Sequence, residues 1–178
     1  MKVGNQQMQT VYTFLEETLE NSHIDIPWRL SYVSVSKQVV LQTYLPVVAS
    51  DEITFLDKNN QPLEGIDYLE LKFIFTADHR ANETESGIFI IQPKDTEHFQ
   101  KGHLDILAQE ISHLLYEARL QIKELIKGER MAVDLKWQAE EVDQMITTRR
   151  AIKRYDDSLL YLGDDTNDLV WVNNWNRQ

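Results

Sequence analysis

The sequence predicts an α+β fold: an antiparallel meander sheet of about five to six strands, packed on one face by a long helix, with an N-terminal helix and a third, C-terminal helix. Two periodicities indicate it. Apolar residues recur at every second position between residues 28 and 75, and at helical spacing between residues 104 and 126. Because 42% of the 178 residues are apolar, a chain of this length can also bury a core.

The first element is predicted to be a helix. Its acidic residues Glu16, Glu17 and Glu20 lie off an apolar stripe, and the helix is expected to end at residues 21–22. Pro27 prevents a new helix from starting at once. The stripe consists of Met8, Val11, Tyr12, Leu15 and Leu19.

Strands are predicted after Pro27, where the apolar period changes to two. A turn at residues 36–37 leads into a second strand over residues 38–48, which lies at a sheet edge or ends at Pro46 because proline lacks the N–H that a central ladder needs. The first strand has an apolar face formed by Trp28, Leu30 and Tyr32.

Three further strands are expected before residue 92. A short strand at residues 53–55 is closed by a polar turn at 57–62. Residues 88–91 form a continuous apolar run, which predicts an interior strand. Between these two, residues 68–75 alternate, with Glu70 and Lys72 outward and an inward row of Leu69, Leu71, Phe73 and Phe75.

The second half of the chain is predicted to be mainly helical. The longest periodic stretch covers residues 104–126 and is expected to stop at Gly128. Residues 131–137 alternate again and predict one more strand. A third helix is expected from Ala139, ending near residues 155–157.

The domain organisation follows from the absence of any linker or repeat. We predict a single α+β domain over residues 1–156, followed by an acidic, aromatic C-terminal tail over residues 157–178. Trp171 and Trp175 in this tail are unfavourable in water, so the tail is expected to pack on the domain or on a partner.

The charge of the chain limits its partners. Lys and Arg number 18 against 29 Asp and Glu, a net charge of −11, and residues 51–100 carry 11 acidic and 4 basic side chains. Since nucleic-acid binding depends on neutralising phosphates, no nucleic-acid partner is expected. The N-terminus lacks the apolar run of a secretory signal, no window is apolar enough for a membrane helix, and there is no cysteine. These features predict a cytoplasmic protein without membrane contact.

Three short stretches carry a resemblance to a known group of proteins. They are residues 14–20 (FLEETLE), residues 51–71 and residues 132–137 (AVDLKW), taken together with the order of the predicted elements. In these the chain resembles an uncharacterised family of small acidic cytosolic proteins, a domain of unknown function, from Gram-positive bacteria. The resemblance implies a bacterial α+β body with no known activity, cofactor or site residues.

Residues that could carry catalysis are few. Glu110 and His113 are spaced to share one helix face, and with His98 and His103 they could supply metal ligands in a hydrolase. A di-iron site would need a second such pair, which the sequence lacks. Glycines are scattered, so no phosphate-binding loop is predicted. We therefore predict no cofactor, no metal and no catalytic residues.

The function that the sequence favours is a non-catalytic protein-interaction module. Its partner would be another protein with a basic or apolar surface, and a homodimer is compatible with the same features. Two alternatives remain: a nucleic-acid mimic that inhibits a basic nucleic-acid-binding protein, and a metal-dependent hydrolase. The residues predicted to contact the partner are Trp171, Trp175, Glu70, Asp67 and Glu64.

Overall fold

The computed structural model describes residues 9–22, 24–48, 56, 59–62, 68–81, 85, 87–164 and 171–173. Three helices are present: α1 (Val11–Asn21), α2 (Lys101–Ile126) and α3 (Ala139–Ala151). The strands are β1 (Trp28–Val33), β2 (Gln38–Pro46), β3 (Tyr68–Thr76), β4 (Ile88–Ile91), β5 (Phe99–Gln100), β6 (Leu159–Leu160) and β7 (Trp171–Asn173). The predicted α+β class is confirmed, and so are the long helix and its two smaller companions.

The main sheet has the order β4-β3-β2-β1-β7, with the short β7 at one edge. Strands β1, β2 and β3 pair antiparallel, and β2 ends at Pro46, but the predicted antiparallel meander of five to six strands is not confirmed. The prediction is wrong at β4, which pairs with β3 in parallel and lies at the sheet edge. Residues 77–87 connect the two strands, which is about the length that a return to the same end of a sheet requires. A parallel pair therefore became geometrically accessible.

The two faces of this sheet differ as the alternation predicts. The inward residues of β3 are buried from Leu71 onward, whereas Glu70 is exposed and Lys72 is half-buried. In β4 only Phe89 and Ile91 are buried, so this strand has one dry side and cannot be the interior strand that was predicted. Buried residues of all three helices and of the inner sheet face form one hydrophobic core. Burial of each large side chain in this core contributes roughly 1.5–3 kcal/mol; the side chains that are less than 2% exposed include Phe73, Phe75, Phe99, Leu30 and Leu41.

Local signals determine the helix ends. A capping box begins α1. The Thr10 side-chain oxygen accepts a hydrogen bond from the Thr13 backbone N–H, and the Thr13 side-chain oxygen accepts one from the Thr10 backbone N–H. Helix α2 runs for 26 residues, and Gly128 follows it with a φ of +74°, the left-handed conformation that glycine adopts readily. Helix α3 ends at Ala151, earlier than predicted. The predicted strand at 53–55 and the helical residue Met8 lie outside the described residues.

Residues 131–138, which we call the strap, contradict the strand predicted at 131–137. Their burial alternates, with Val133, Leu135 and Trp137 half-buried, yet they form no ladder. The side chain of Gln121 in α2 takes the place of a neighbouring strand. Its Nε2 donates to the Asp134 carbonyl at 3.0 Å, and its Oε1 accepts from the Asp134 N–H at 2.8 Å. A single amide side chain thus satisfies the centre of an extended segment.

Residues 155–164, which we call the docking segment, form hydrogen bonds with the N-terminal ends of two helices, α2 and α1. The backbone N–H groups of Lys101 and Gly102 donate to the carbonyls of Ser158 and Asp156, at 2.9 and 2.8 Å. Farther along, the Tyr161 and Leu162 carbonyls accept from the first N–H groups of α1. Within the segment, β6 pairs with β5. The first backbone N–H groups of a helix have no acceptor within the helix itself. The docking segment supplies carbonyl acceptors to such groups in both α1 and α2.

Candidate functional site

The predicted partner-binding residues are only partly described. Glu70 lies on the exposed side of β3, where its carboxylate accepts from Gln42 at 2.8 Å and lies 3.8 Å from the Lys72 ammonium. The backbone of Trp171 pairs with Ser31 across the β1–β7 ladder. The other three predicted residues, Glu64, Asp67 and Trp175, lie outside the described residues.

The four residues considered for a metal site lie in different environments. His98 packs against the Tyr161 ring at a centroid distance of 4.7 Å, and His113 is exposed. His103 and Glu110 are both buried, two turns apart on α2. Within the part of the chain that the structure describes, no three His, Asp or Glu side chains lie close enough to hold a metal ion.

His103 is buried in an electrostatically mixed environment. Its ring stacks on Phe99 at 6.1 Å, and its Nδ1 has no hydrogen-bond partner. Burial lowers the pKa of His103 to about 4, and the Lys94 ammonium acts in the same direction while the carboxylate of Asp143 opposes it. Lys94 and Asp143 form an ion pair with each other and act on His103 in opposite directions, as do Arg150, which lowers the pKa, and Asp95, which raises it. His103 is therefore a neutral core residue at physiological pH.

Glu110 is the second buried titratable group of α2. Burial raises its pKa, the charge of His113 and a hydrogen bond from the Gln138 backbone N–H lower it, and Glu141 raises it again. One carboxylate oxygen, Oε1, has no partner. Glu110 thus caps the region where the strap enters α3, since Gln138 is the N-cap residue of that helix.

A polar network at the N-terminus of α2 was missed by the sequence analysis. Gln100 Oε1 accepts from Arg150 at 3.0 Å and from the Tyr155 hydroxyl at 2.8 Å. Arg150 also lies over the Tyr155 ring at 4.6 Å and 3.6 Å from Asp95. These residues are far apart in sequence, and they attach the end of α3 to the start of α2. Their bonds are mutually satisfied, which indicates a structural role.

A cleft of about 310 Å³ lies in the helical layer, between the end of α1 and the middle of α2. Among the described residues of its walls are one carboxylate, Asp25, and one guanidinium, Arg119. Tyr116 at the rim is 62% exposed and is followed one turn later by Leu120, 40% exposed, which makes this an apolar surface on an otherwise charged helix. The remaining lining residues are Ser22, Ile24, Ile26, Ser112 and Leu115.

The α1 end of the cleft is electronegative. Helix α1 ends at the cleft with no basic residue in its last turn, and its last carbonyls are capped by the neutral donors Asn21 and Ser22. The negative end of the helix dipole therefore has no compensating charge within the helix. Burial raises the pKa of Glu16, and the neighbouring carboxylates of Glu20 and Glu17 raise it further, which shows that like charges crowd this helix.

The fold resembles that of a solved protein. The crystal structure of a conserved protein of unknown function from Enterococcus faecalis, a Gram-positive bacterium, matches with a TM-score of 0.59 and 14% sequence identity, over 89% of this chain and 97% of that chain. No protein-family model and no curated protein sequence matches. Among the described helices, none is both long and apolar enough to cross a membrane. At 14% identity the similarity shows the fold alone, an α+β fold shared with a protein of unknown function.

Proposed function

We propose that this protein is a non-catalytic protein-interaction module that binds a linear segment of another protein in the cleft between α1 and α2. The bound segment carries a large apolar side chain next to a basic one. The observation that carries the proposal is the cleft itself, a concave apolar site with Asp25 on one wall and the uncompensated end of α1 beside it.

Charge selects the basic residue of the partner. A cation entering beside Asp25 meets the carbonyl end of α1, which has no basic residue in its last turn. The net charge of −11 additionally attracts cationic segments at long range. Arg119 on the opposite wall offers donors to a carbonyl oxygen of the bound segment.

Size selects the apolar anchor and limits the affinity. One aromatic side chain buries about 150–250 Å², which at about 25 cal/mol per Å² contributes roughly 4–6 kcal/mol before the entropy of association is subtracted. A single anchor with one exposed ion pair is therefore expected to bind weakly, in roughly the millimolar range.

A second contact region belongs to the same proposal. Trp171, Trp175, Glu64, Asp67 and Glu70 remain the residues proposed to extend the interaction, in a cytoplasmic bacterial protein. Nucleic-acid mimicry is less favoured, because among the described acidic residues Glu70, Asp78 and Asp95 each have a cationic neighbour within 3.8 Å. Such carboxylates are poor imitations of free phosphates.

The test uses the full chain and a displayed library of random peptides. We expect the selected peptides to share a large apolar residue adjacent to Lys or Arg. Asp25→Lys should weaken their binding about three- to ten-fold at low salt, and Tyr116→Ala should weaken it at any salt. Glu129→Lys, with the same charge change beyond the end of α2, and Met131→Ala, at a residue 96% exposed on the strap, are the matched controls. Selection of acidic peptides, or equal binding by Asp25→Lys and its control, would refute the proposal.

A further inference from the structure

The side of the main sheet that faces away from the helices, which we call the outer sheet face, has an apolar centre. The ladders place Val40 opposite Ile74, and Ile74 beside Ile90, so that three β-branched side chains form one row across three strands. All three are half-buried. Among the described residues, the core joins the helices to the inner face and does not include this row. The row is therefore apolar surface that the described helices leave without a packing partner.

The charge of the outer sheet face differs from that of the rest of the molecule. On the outward positions of β1 to β4, the charged residues are Arg29, Lys72 and Glu70, a net charge of +1. The whole chain carries −11. The chain as a whole therefore repels acidic molecules, a second copy of itself included, whereas the outward residues of β1 to β4 add no net negative charge.

We infer that two copies of this chain associate through their outer sheet faces to form a two-fold symmetric dimer. A basic partner would be drawn to the acidic remainder of the surface rather than to this face, so the face suits a molecule that is acidic elsewhere and apolar here. A second copy meets both conditions. Because a two-fold interface pairs identical patches, the adjacent opposite charges of Glu70 and Lys72 are self-complementary across it.

The dimensions of the face support the same occupant. Four strands about 4.8 Å apart and about six residues long, at about 3.3 Å per residue, cover roughly 20 by 20 Å. That gives about 400 Å² of flat area per copy. Side-chain relief brings the accessible surface buried by both copies to about 1,000 Å², which is the lower limit for a specific interface. The dimer is therefore expected to be reversible, with a dissociation constant in about the micromolar range.

This association is independent of the peptide cleft. The cleft lies in the helical layer, and the outer sheet face lies on the other side of the sheet. Two copies joined through their sheets would leave both clefts open, so a segment could bind to each, but they would cover Glu70, and the second contact region would then depend on its other residues. A failure to bind peptides would contradict the proposed function of the cleft but not the dimer. A monomeric protein would contradict the dimer but not peptide binding in the cleft.

The test measures the mass of the full chain by sedimentation equilibrium from about 1 to 300 µM. We expect the mass to double with concentration, and salt to strengthen the dimer because it screens the repulsion between two copies. Ile74→Glu should shift the dissociation constant upward by at least ten-fold. Met131→Glu, the same kind of change at a residue 96% exposed on the strap, should leave it unchanged.

A second variant guards against loss of folding. Lys72→Glu changes the face from +1 to −1 without touching the core, and it should weaken the dimer at low salt and less at high salt. Circular dichroism establishes that each variant is folded. A wild-type protein that stays monomeric at 300 µM in high salt would overturn the inference. An unchanged dissociation constant in both variants, Ile74→Glu and Lys72→Glu, with both shown to be folded, would overturn it as well.

Discussion

The strap and the docking segment are two extended stretches that follow α2 and pack on it in different ways. The docking segment presents backbone carbonyls to the first N–H groups of α2 and pairs with β5. The strap has no ladder and depends on one side chain, Gln121, for the backbone of Asp134. The backbone-to-backbone hydrogen bonds at the start of α2 require the docking segment to lie close to the helix backbone. The Gln121 side chain, in contrast, spans a larger distance between the backbones of α2 and the strap. The helix start should therefore tolerate far less change than the helix middle.

The largest expected effect is at Gly102. A Cβ there would lie 2.8 Å from the Asp156 backbone nitrogen and 3.0 Å from its carbonyl oxygen. Because the obstacle is backbone, Gly102→Ala should lower the free energy of unfolding by about 2–4 kcal/mol, although alanine is the better helix former. Urea denaturation measures this.

The glycine at the other end of α2 is the control. A Cβ at Gly128 meets nothing within 4 Å, and only its positive φ is unfavourable, so Gly128→Ala should cost about 1 kcal/mol. Equal losses for the two variants would contradict the close approach of the docking segment.

The next effect is a pH dependence from His103, which lies beside the docked helix start. The folded-state pKa of about 4 is below the ordinary value of 6.5, so the unfolded chain takes up a proton first as the pH falls. Stability is fully present above about pH 6.5 and decreases toward pH 4, by on the order of 3 kcal/mol.

Replacing the imidazole tests this assignment. His103→Gln should flatten the stability profile between pH 6.5 and 4, and Gln109→Ala, at an exposed position on the same helix, should leave its slope unchanged. Histidine titration by NMR supplies the direct pKa. A folded-state value near 6.5 for His103 would contradict its burial.

A smaller loss is expected where the strap is held. Gln121→Ala removes two hydrogen bonds to Asp134 and should reduce the free energy of unfolding by about 1–3 kcal/mol. Amide exchange at Asp134 should accelerate as well. Gln109→Ala, the same substitution at an exposed position of α2, should change stability by no more than about 0.5 kcal/mol. Unaltered exchange at Asp134 would show that Gln121 does not hold the strap.

The smallest effect concerns Glu110, at the other end of the strap. Burial raises the pKa of Glu110 in the folded state, so the folded protein binds this proton more tightly than the unfolded chain does. The resulting stabilisation is present at low pH and is lost as the pH rises through the raised pKa. Glu110→Gln should therefore stabilise the protein at neutral pH, with the difference shrinking on acidification. Glu129→Gln, the same substitution at an exposed residue just beyond α2, serves as the control. A destabilised Glu110→Gln would show that the carboxylate is needed in its charged form.

The sequence predicted the two faces of β1, β2 and β3 and the extent of α2, because burial on one side leaves a periodic pattern of apolar residues. It also predicted alternation at residues 131–137, and the alternation is present, but the inferred strand is not. Alternation reports an extended chain with one side buried. It carries no information on whether a neighbouring backbone is there to pair with.

The candidate site was less accessible to such reasoning. The cleft joins residues 22–26 to residues 112–119, and the network of Gln100 with Arg150 and Tyr155 joins two helices through residues about fifty positions apart. None of these residues stands out in the sequence, because each is an ordinary polar or apolar residue. They form a site only because the fold brings them into contact.

The amino-acid order alone therefore determined which stretches of this chain are helical or extended and which side of each is dry. Local sterics and the separation of apolar from polar side chains act within a few residues, so they leave a local pattern. The tertiary structure decided the parallel pairing of β4, the absence of a ladder at the strap, and the double role of the docking segment at two helix starts. Hydrogen-bond partners for an extended backbone come from distant parts of the chain, and packing in three dimensions selects among them.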